Sequence, residues 1–172
     1  MSPRFSVVIR KENESDVDAI FEVTRKAFET LAVSPKTEQF IINALRKAGA
    51  LSLSLIAEIN GQIVGHIAFS HVEISDGSKN WYTLGPVSVL PEYQRGGIGQ
   101  AIIRKGLLLL KSKGAMGCVL VGEPGYYTQF GFKNLPDLAM KGVPQKYVLG
   151  LPFAGQKAKG FITPHEAFFV KG

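Results

Sequence analysis

Hydrophobic and polar positions alternate at the start of the chain. Phe5, Val7 and Ile9 fall on one side and Ser6, Val8 and Arg10 on the other, which predicts a half-buried strand over 5–10. The period then changes to that of a helix: Val17, Ile20, Phe21, Thr24, Ala27 and Phe28 recur at helical spacing, and Ser15 with Asp18 reads as a capping box. A second helix is expected to begin at Ser34-Pro35, to carry Phe40, Ile41, Ala44, Leu45 and Ala48 on one side and to stop at Gly49. Two strand-like segments, 51–59 and 62–71, are separated by Asn60-Gly61, whose tolerance of positive φ predicts a tight hairpin. Val72 to Asn80 reads as a polar connection and Trp81 to Val89 as the next strand. Within that strand Gly85-Pro86 predicts a bulge or splayed pairing, because proline donates nothing to a ladder. A helix over 98–113, stopping at Gly114, and a strand over 117–122 complete a strand–helix–strand unit, whose crossover is right-handed and whose strands pair in parallel. Beyond Gly131 the pattern weakens to short strands at 147–151 and 160–163.

The stretch with the most chemistry joins the end of one predicted strand to the start of a helix. Arg95, Gly96, Gly97, Ile98 and Gly99 place unencumbered backbone N–H groups where a helix begins, and the orphan donors and helix dipole there suit a phosphate or diphosphate. Two familiar glycine loops are excluded. The Gly-Lys-Ser/Thr ending of a nucleoside-triphosphate loop is absent, and a dinucleotide fingerprint wants an early strand and an acid about 20 residues on, where Cys118 to Val121 stand instead.

Composition narrows the class further. At 172 residues and 45% hydrophobic content the chain fits one domain, 1–172, with a sizeable core. The formal net charge of +6 suits an anionic ligand or acidic substrate, and Arg104, Lys105, Lys111 and Lys113 follow the glycine turn, where they equally fit a solvated helix face. No basic stripe interleaved with aromatics appears, so no specific nucleic-acid partner is expected. Cys118 stands alone, which rules out an internal disulfide and a thiolate metal site, and among Val119, Leu120 and Val121 it reads as a small core residue. No metal is expected. The longest apolar run, Leu107 to Leu110, is far too short to span a bilayer, so the expectation is a soluble, cytoplasmic protein without a membrane partner. A homodimer is compatible with the chain.

The order of strand, two helices, antiparallel strands, strand, Gln-x-x-Gly-x-Gly, helix, strand and aromatic segment resembles the GNAT superfamily of N-acetyltransferases. Gln94, Arg95, Gly96, Gly97, Ile98 and Gly99 match its acetyl-coenzyme A signature, and Pro124 to Phe132 is similar to the tyrosine helix and Gly-Phe strand entry that close its site. Leu84-Gly85-Pro86 with Tyr126-Tyr127 and Phe130-Gly131-Phe132 looks most like the YhbS-like branch of predicted acetyltransferases. The resemblance implies an α/β fold, with a central, mostly antiparallel sheet, one parallel strand–helix–strand unit at the cofactor site and flanking helices. It also implies acetyl-CoA as co-substrate and direct transfer of the acetyl group to a primary amine of a small molecule, protein or peptide. Val87, Ser88 and Val89 would pair with the pantetheine amides, and Gln94, Arg95, Gly96, Gly97, Ile98, Gly99 and Gln100 would cradle the diphosphate.

Acetyl transfer needs an unprotonated amine, a donor for the carbonyl oxygen and a proton for the departing thiolate. The resemblance makes Tyr127 the proton donor, with packing beneath the cofactor as the plainer reading, and leaves the oxygen to a strand N–H at Val89. Tyr126 is the lesser candidate, since helix neighbours point apart. The histone-acetylating branch carries a basic glutamate at the position that is Thr83 here. His71, Glu73, Glu123 or water remain for the base. His66 in its apolar strand reads as a core histidine, Glu38 as an exposed helix-face carboxylate, and Phe69, Trp81, Phe130 and Phe132 as core. The missing glutamate supports a second reading, a non-catalytic acyl-CoA sensor or regulatory module.

Overall fold

The computed structural model describes residues 6–172, so Phe5 of the expected first strand lies outside the described residues. The strands are β1 (Val8–Lys11), β2 (Leu53–Ile59), β3 (Gln62–Ile74), β4 (Trp81–Val89), β5 (Gly117–Val121), β6 (Lys133–Asn134), β7 (Leu138–Ala139), β8 (Val148–Pro152) and β9 (Gly160–Pro164). The helices are α1 (Val17–Glu29), α2 (Glu38–Lys47), α3 (Ile98–Ser112) and α4 (Pro124–Tyr127), joined by short 3-10 turns. Strands are hydrogen-bonded in the order β1-β2-β3-β4-β5-β8-β6, with β9 on β3 and β7 on β9. The β1–β2, β2–β3, β3–β9, β5–β8 and β6–β8 pairs are antiparallel, whereas β4–β5 and β7–β9 are parallel. This is the expected mixed α/β architecture, with the β4–α3–β5 crossover unit and flanking helices. No helix among the described residues is long and apolar enough to cross a membrane.

Contacts divide the chain into two compact units: one is formed by the chain up to Phe69, Gly85–Leu107 and Glu166–Gly172, the other by Ser70–Leu84 and Leu108–His165. In the first, Ile20 of α1 and Ile42 of α2 pack on Ile56 and Ala68 of the β2–β3 hairpin, and Ile41 and Leu45 meet Ala167. Each such fully buried aliphatic side chain contributes about 1.5–3 kcal/mol, enough to hold helices whose opposite faces are polar. The hairpin closes as its dipeptide requires: Ile59 faces Gln62, and Asn60 (φ 51°) and Gly61 (φ 79°) both take the left-handed conformation. In the second unit Trp81, Val119, Val148 and Ile162 form one core with Val72, Ile74 and Leu138. Gly117 lies against the Trp81 indole, where a Cβ would come within 2.4 Å of the ring.

Three boundaries differ from the sequence reading. The capping box is Asn13 with Asp16: the Asn13 side chain accepts from the Ser15 N–H at 3.0 Å and the Asp16 carboxylate from the Asn13 N–H at 2.7 Å. Helix α2 starts at Glu38 instead of Ser34-Pro35, because Lys36 adopts φ 64° and its N–H bonds the Ser34 hydroxyl, breaking any helix at that point. Its end is as expected: the Gly49 and Ala50 N–H groups bond the Arg46 and Leu45 carbonyls, and Gly49 has φ 69°. Strand β3 runs on to Ile74, since Val72–Ile74 gains a partner in β9, a pairing that a local pattern does not reveal. Strands β6 and β7, two residues each, carry too few positions to show a period.

Candidate active site

The glycine turn belongs to the first unit. Strand β4 is held at its end by the Leu90 N–H, which bonds the Val64 carbonyl at 2.8 Å, and Pro91 then opens a 3-10 turn over Pro91–Tyr93. The Gln94 side chain reaches back and donates to the Val89 carbonyl at 3.0 Å, so its amide braces the turn against the strand. Arg95 (φ 65°) and Gly97 (φ 88°) both adopt the left-handed conformation, costly for the arginine and free for the glycine, and they curl the backbone into the start of α3. The Gly97 carbonyl accepts the Ala101 N–H at 3.0 Å, which makes the N–H groups of Ile98, Gly99 and Gln100 those of a first helical turn. Among the described residues none of these, nor the Gly96 and Gly97 N–H groups, is bonded to a carbonyl. Ile98 is buried and anchors the turn, and Arg95 is exposed.

The strand before the turn is tightly fitted. Val87 and Val89 are half-buried, and Ser88 is 5% exposed with its hydroxyl lacking a hydrogen-bond partner. At Gly65 on β3 an added Cβ would approach the Ser88 carbonyl at 3.2 Å and Ile98 Cγ2 at 3.5 Å, so this glycine sets the distance between strand and turn. Gly65 was not singled out from the sequence, although an isolated glycine inside a strand pattern signals close backbone approach.

The tyrosine belongs to the second unit. Pro124 at the first helical position and the extended backbone of Glu123 start α4, a 3-10 turn over Thr128–Phe130 follows, and Gly131 (φ 98°) ends it. Tyr127 turns inward: its ring centroid is 6.1 Å from that of Phe132 and 6.2 Å from that of Phe130, and a Cβ on Gly122 would come within 2.7 Å of its edge. Burial, with a smaller contribution from Tyr126, pushes its hydroxyl up to about 12. Tyr126 is 40% exposed and meets Tyr127 edge-on at 87°, the divergence expected of helix neighbours. Gly122, a further residue that sequence reasoning passed over, is what allows the Tyr127 ring to lie against the end of β5.

The other candidates separate by environment. Thr83 is buried at 7% exposure and carries no carboxylate. The exposed His71 stacks on Tyr82 with ring centroids 4.2 Å apart, and burial, then the charge of Lys113, lowers its pKa. Glu73 and Glu123 are exposed. The Ser34 hydroxyl donates its one proton to the Glu38 carboxylate, lying 2.8 and 2.7 Å from its two oxygens, and so braces the α1–α2 connection. Cys118, Phe69, Trp81, Phe130 and Phe132 are core residues as expected. His66 is wholly buried, and it belongs to a polar chain that periodicity did not show. Its Nε2 lies 2.8 Å from the Ser54 hydroxyl, Ser54 donates to Glu12, and Arg46 grips Glu12 with two bonds of 2.9 Å. Burial lowers the His66 pKa to about 3.

The model of the acetyltransferase (GNAT) domain matches residues 51–134, a span that takes in both the glycine turn and Tyr127. The uncharacterized N-acetyltransferase YhbS of Escherichia coli K12 is 31% identical over 128 residues, 74% of each chain. The chain belongs to the GNAT family of acetyltransferases. This GNAT chain is also 33% identical over 138 residues to the uncharacterized N-acetyltransferase YjhQ of the same organism, covering 78% of this chain and 73% of the other. Its structure is similar to that of a Brucella melitensis GNAT acetyltransferase in complex with acetyl-CoA (TM-score 0.85, 47% identity, 96% of this chain and 99% of the other). It is also similar to that of Escherichia coli YhbS in complex with CoA (TM-score 0.88, 27% identity, 100% and 97%). As a GNAT member the chain is an N-acetyltransferase, and its glycine turn and tyrosine fall within the part that the family shares.

Proposed function

We propose that this N-acetyltransferase uses acetyl-CoA as donor and passes the acetyl group directly to a primary amine of a small molecule, protein or peptide. The observation that carries this reading is the Arg95–Gln100 turn, whose backbone N–H groups open a helix with no carbonyl partner while Gln94 braces the turn from behind. The similarity to chains solved with acetyl-CoA and CoA supports the same ligand here. In this reading the backbone of Val87 to Val89 pairs with the pantetheine amides, and the turn holds the diphosphate. The family match crosses from one compact unit to the other, which supports one transferase domain over 1–172.

The thioester supplies an activated acyl carbon; the chain supplies orientation and protons. The amine nitrogen bonds to that carbon, the carbon–sulfur bond breaks, the nitrogen loses a proton and the sulfur gains one. The Val89 N–H donates to the carbonyl oxygen as charge develops on it. Tyr127 donates to the sulfur, and its raised pKa keeps it in the neutral, donating form throughout the working range. The proton from nitrogen passes to water or to His71, Glu73 or Glu123.

Calorimetric titration with acetyl-CoA, followed in the same sample by thiol release on adding a pool of primary amines, tests the proposal. Binding with amine-dependent release supports the transferase. Binding without release favours an acyl-CoA sensor, the reading that the uncharged Thr83 suggests, and absence of binding overturns the assignment of the glycine turn.

A further inference from the structure

In the first unit a line of polar groups runs from half-buried Arg46 and Glu12 to buried Ser54 and His66, and one ring nitrogen of His66 has no partner. Arg46 of α2 holds the Glu12 carboxylate, Ser54 of β2 donates its hydroxyl proton to Glu12, and Ser54 therefore accepts from His66 Nε2 on β3. This order of donors decides the tautomer of the imidazole: the proton is on Nε2, and Nδ1 is a bare acceptor. Nδ1 is buried without a hydrogen-bond partner, and so is the hydroxyl of Ser88 on β4. The two strands are neighbours. The Leu90 N–H bonds the Val64 carbonyl at 2.8 Å, a register that, continued as an antiparallel ladder, sets His66 opposite Ser88. Directly opposed residues project to the same face, with Cβ atoms about 4.5–5.5 Å apart, within reach of one hydrogen bond. A buried acceptor and a buried donor left apart each cost stability, a cost that a hydrogen bond between them removes.

We propose that His66 is a positioning residue for the β4 strand: Arg46, Glu12 and Ser54 fix its tautomer so that Nδ1 receives the Ser88 hydroxyl and holds the Val87–Val89 edge in register for its ligand. The role in ligand binding rests on the acetyl-CoA reading; the hydrogen bond itself does not. A line of five side chains, Arg46, Glu12, Ser54, His66 and Ser88, thus tethers the strand that leads into the glycine turn. His66 is buried, as its apolar strand predicts, and the direction of its ring is a matter of tertiary contacts.

Nitrogen chemical shifts of the His66 ring in the ligand-free protein test the bond without any cofactor. The expected result is a protonated Nε2 and an unprotonated Nδ1 whose resonance is shifted by an accepted hydrogen bond, the shift disappearing in Ser88→Ala. A proton on Nδ1, or an Nδ1 resonance that Ser88→Ala leaves unmoved, overturns the proposal. The positioning role is read from calorimetric acetyl-CoA affinity of His66→Leu, His66→Gln, Ser88→Ala and the His66→Leu/Ser88→Ala double variant. Leucine should weaken affinity about tenfold, glutamine, which keeps one donor and one acceptor, should restore most of it, and the two single losses should not add. Should His66→Leu fail to fold, the His66→Gln and Ser88→Ala pair still decides: equal affinity across wild type, glutamine and Ser88→Ala overturns the positioning role. A wild-type protein with the expected His66 shifts but no affinity for acetyl-CoA sinks the cofactor reading and the positioning role, and leaves the hydrogen bond in place.

Discussion

Tyr127 owes its proposed role as proton donor to its surroundings. Phe130, Phe132 and the bare backbone of Gly122 pack around its ring and keep its hydroxyl protonated, whereas its neighbour Tyr126 is 40% exposed. Tyr127→Phe should lower kcat about 100-fold or more at unchanged acetyl-CoA affinity, as removal of a proton donor does, and steady-state kinetics with a calorimetric control measure both. Gly122→Ala should lower kcat in the same assay without touching the hydroxyl itself, since the new methyl displaces a ring that lies 2.7 Å from its position. At the glycine turn, Gly97→Glu combines a φ of 88° with a carboxylate aimed where a diphosphate is proposed to rest. Acetyl-CoA affinity should fall below detection by calorimetry, while Gly99→Ala, at a helical position without positive φ, should retain part of it. These residues were legible as Gln-x-x-Gly-x-Gly and a paired tyrosine. Gly65 and Gly122 were not, because what makes a glycine necessary there is an atom of a distant segment.

The elements divide in the same way between local and distant causes. The β2–β3 hairpin was legible because two residues with positive φ decide the turn, and α3 because its period, its start after Gly97 and its stop at Gly114 are all local. Two boundaries differ: β3 extends because β9, a distant segment, pairs with it, and α2 begins late because Lys36 takes the left-handed conformation with its N–H on the Ser34 hydroxyl. Inside α3, Gly106 looks like a weak point that alanine would improve by about 1 kcal/mol. A Cβ there would stand 2.5 Å from Phe69 Cε2, however, so overpacking should win and Gly106→Ala should destabilise the protein by about 1–3 kcal/mol in chemical denaturation.

At the level of the whole molecule, acid stability depends on the buried polar chain. His66 has its pKa lowered from 6.5 to about 3 by burial, so the unfolded chain binds a proton that the folded one refuses between those values. Stability is fully present above pH about 6.5 and is lost as pH falls towards 3, with a slope of up to about 1.4 kcal/mol per pH unit from this one group. Glu12, where hydrogen bonds from Arg46 and Ser54 overcome burial, and Asp16, paired with Arg10, have lowered pKa values and add losses in the acid range. Thermal melts from pH 7 to pH 4 should show a steep decline for the wild type and a shallower one for His66→Leu. The sequence by itself determined the alternation of strands and helices, the hairpin, the glycine turn at a helix start and the kinship with acetyltransferases, since these depend on periodicity and on backbone freedom at single positions. Only the tertiary structure decided which glycines make room for a neighbour, which of the paired tyrosines turns inward and how Glu12, Arg46, Ser54 and His66 come together. Those depend on contacts between residues far apart in the chain, and burial and charge act through distance in space, which spacing along a sequence does not record.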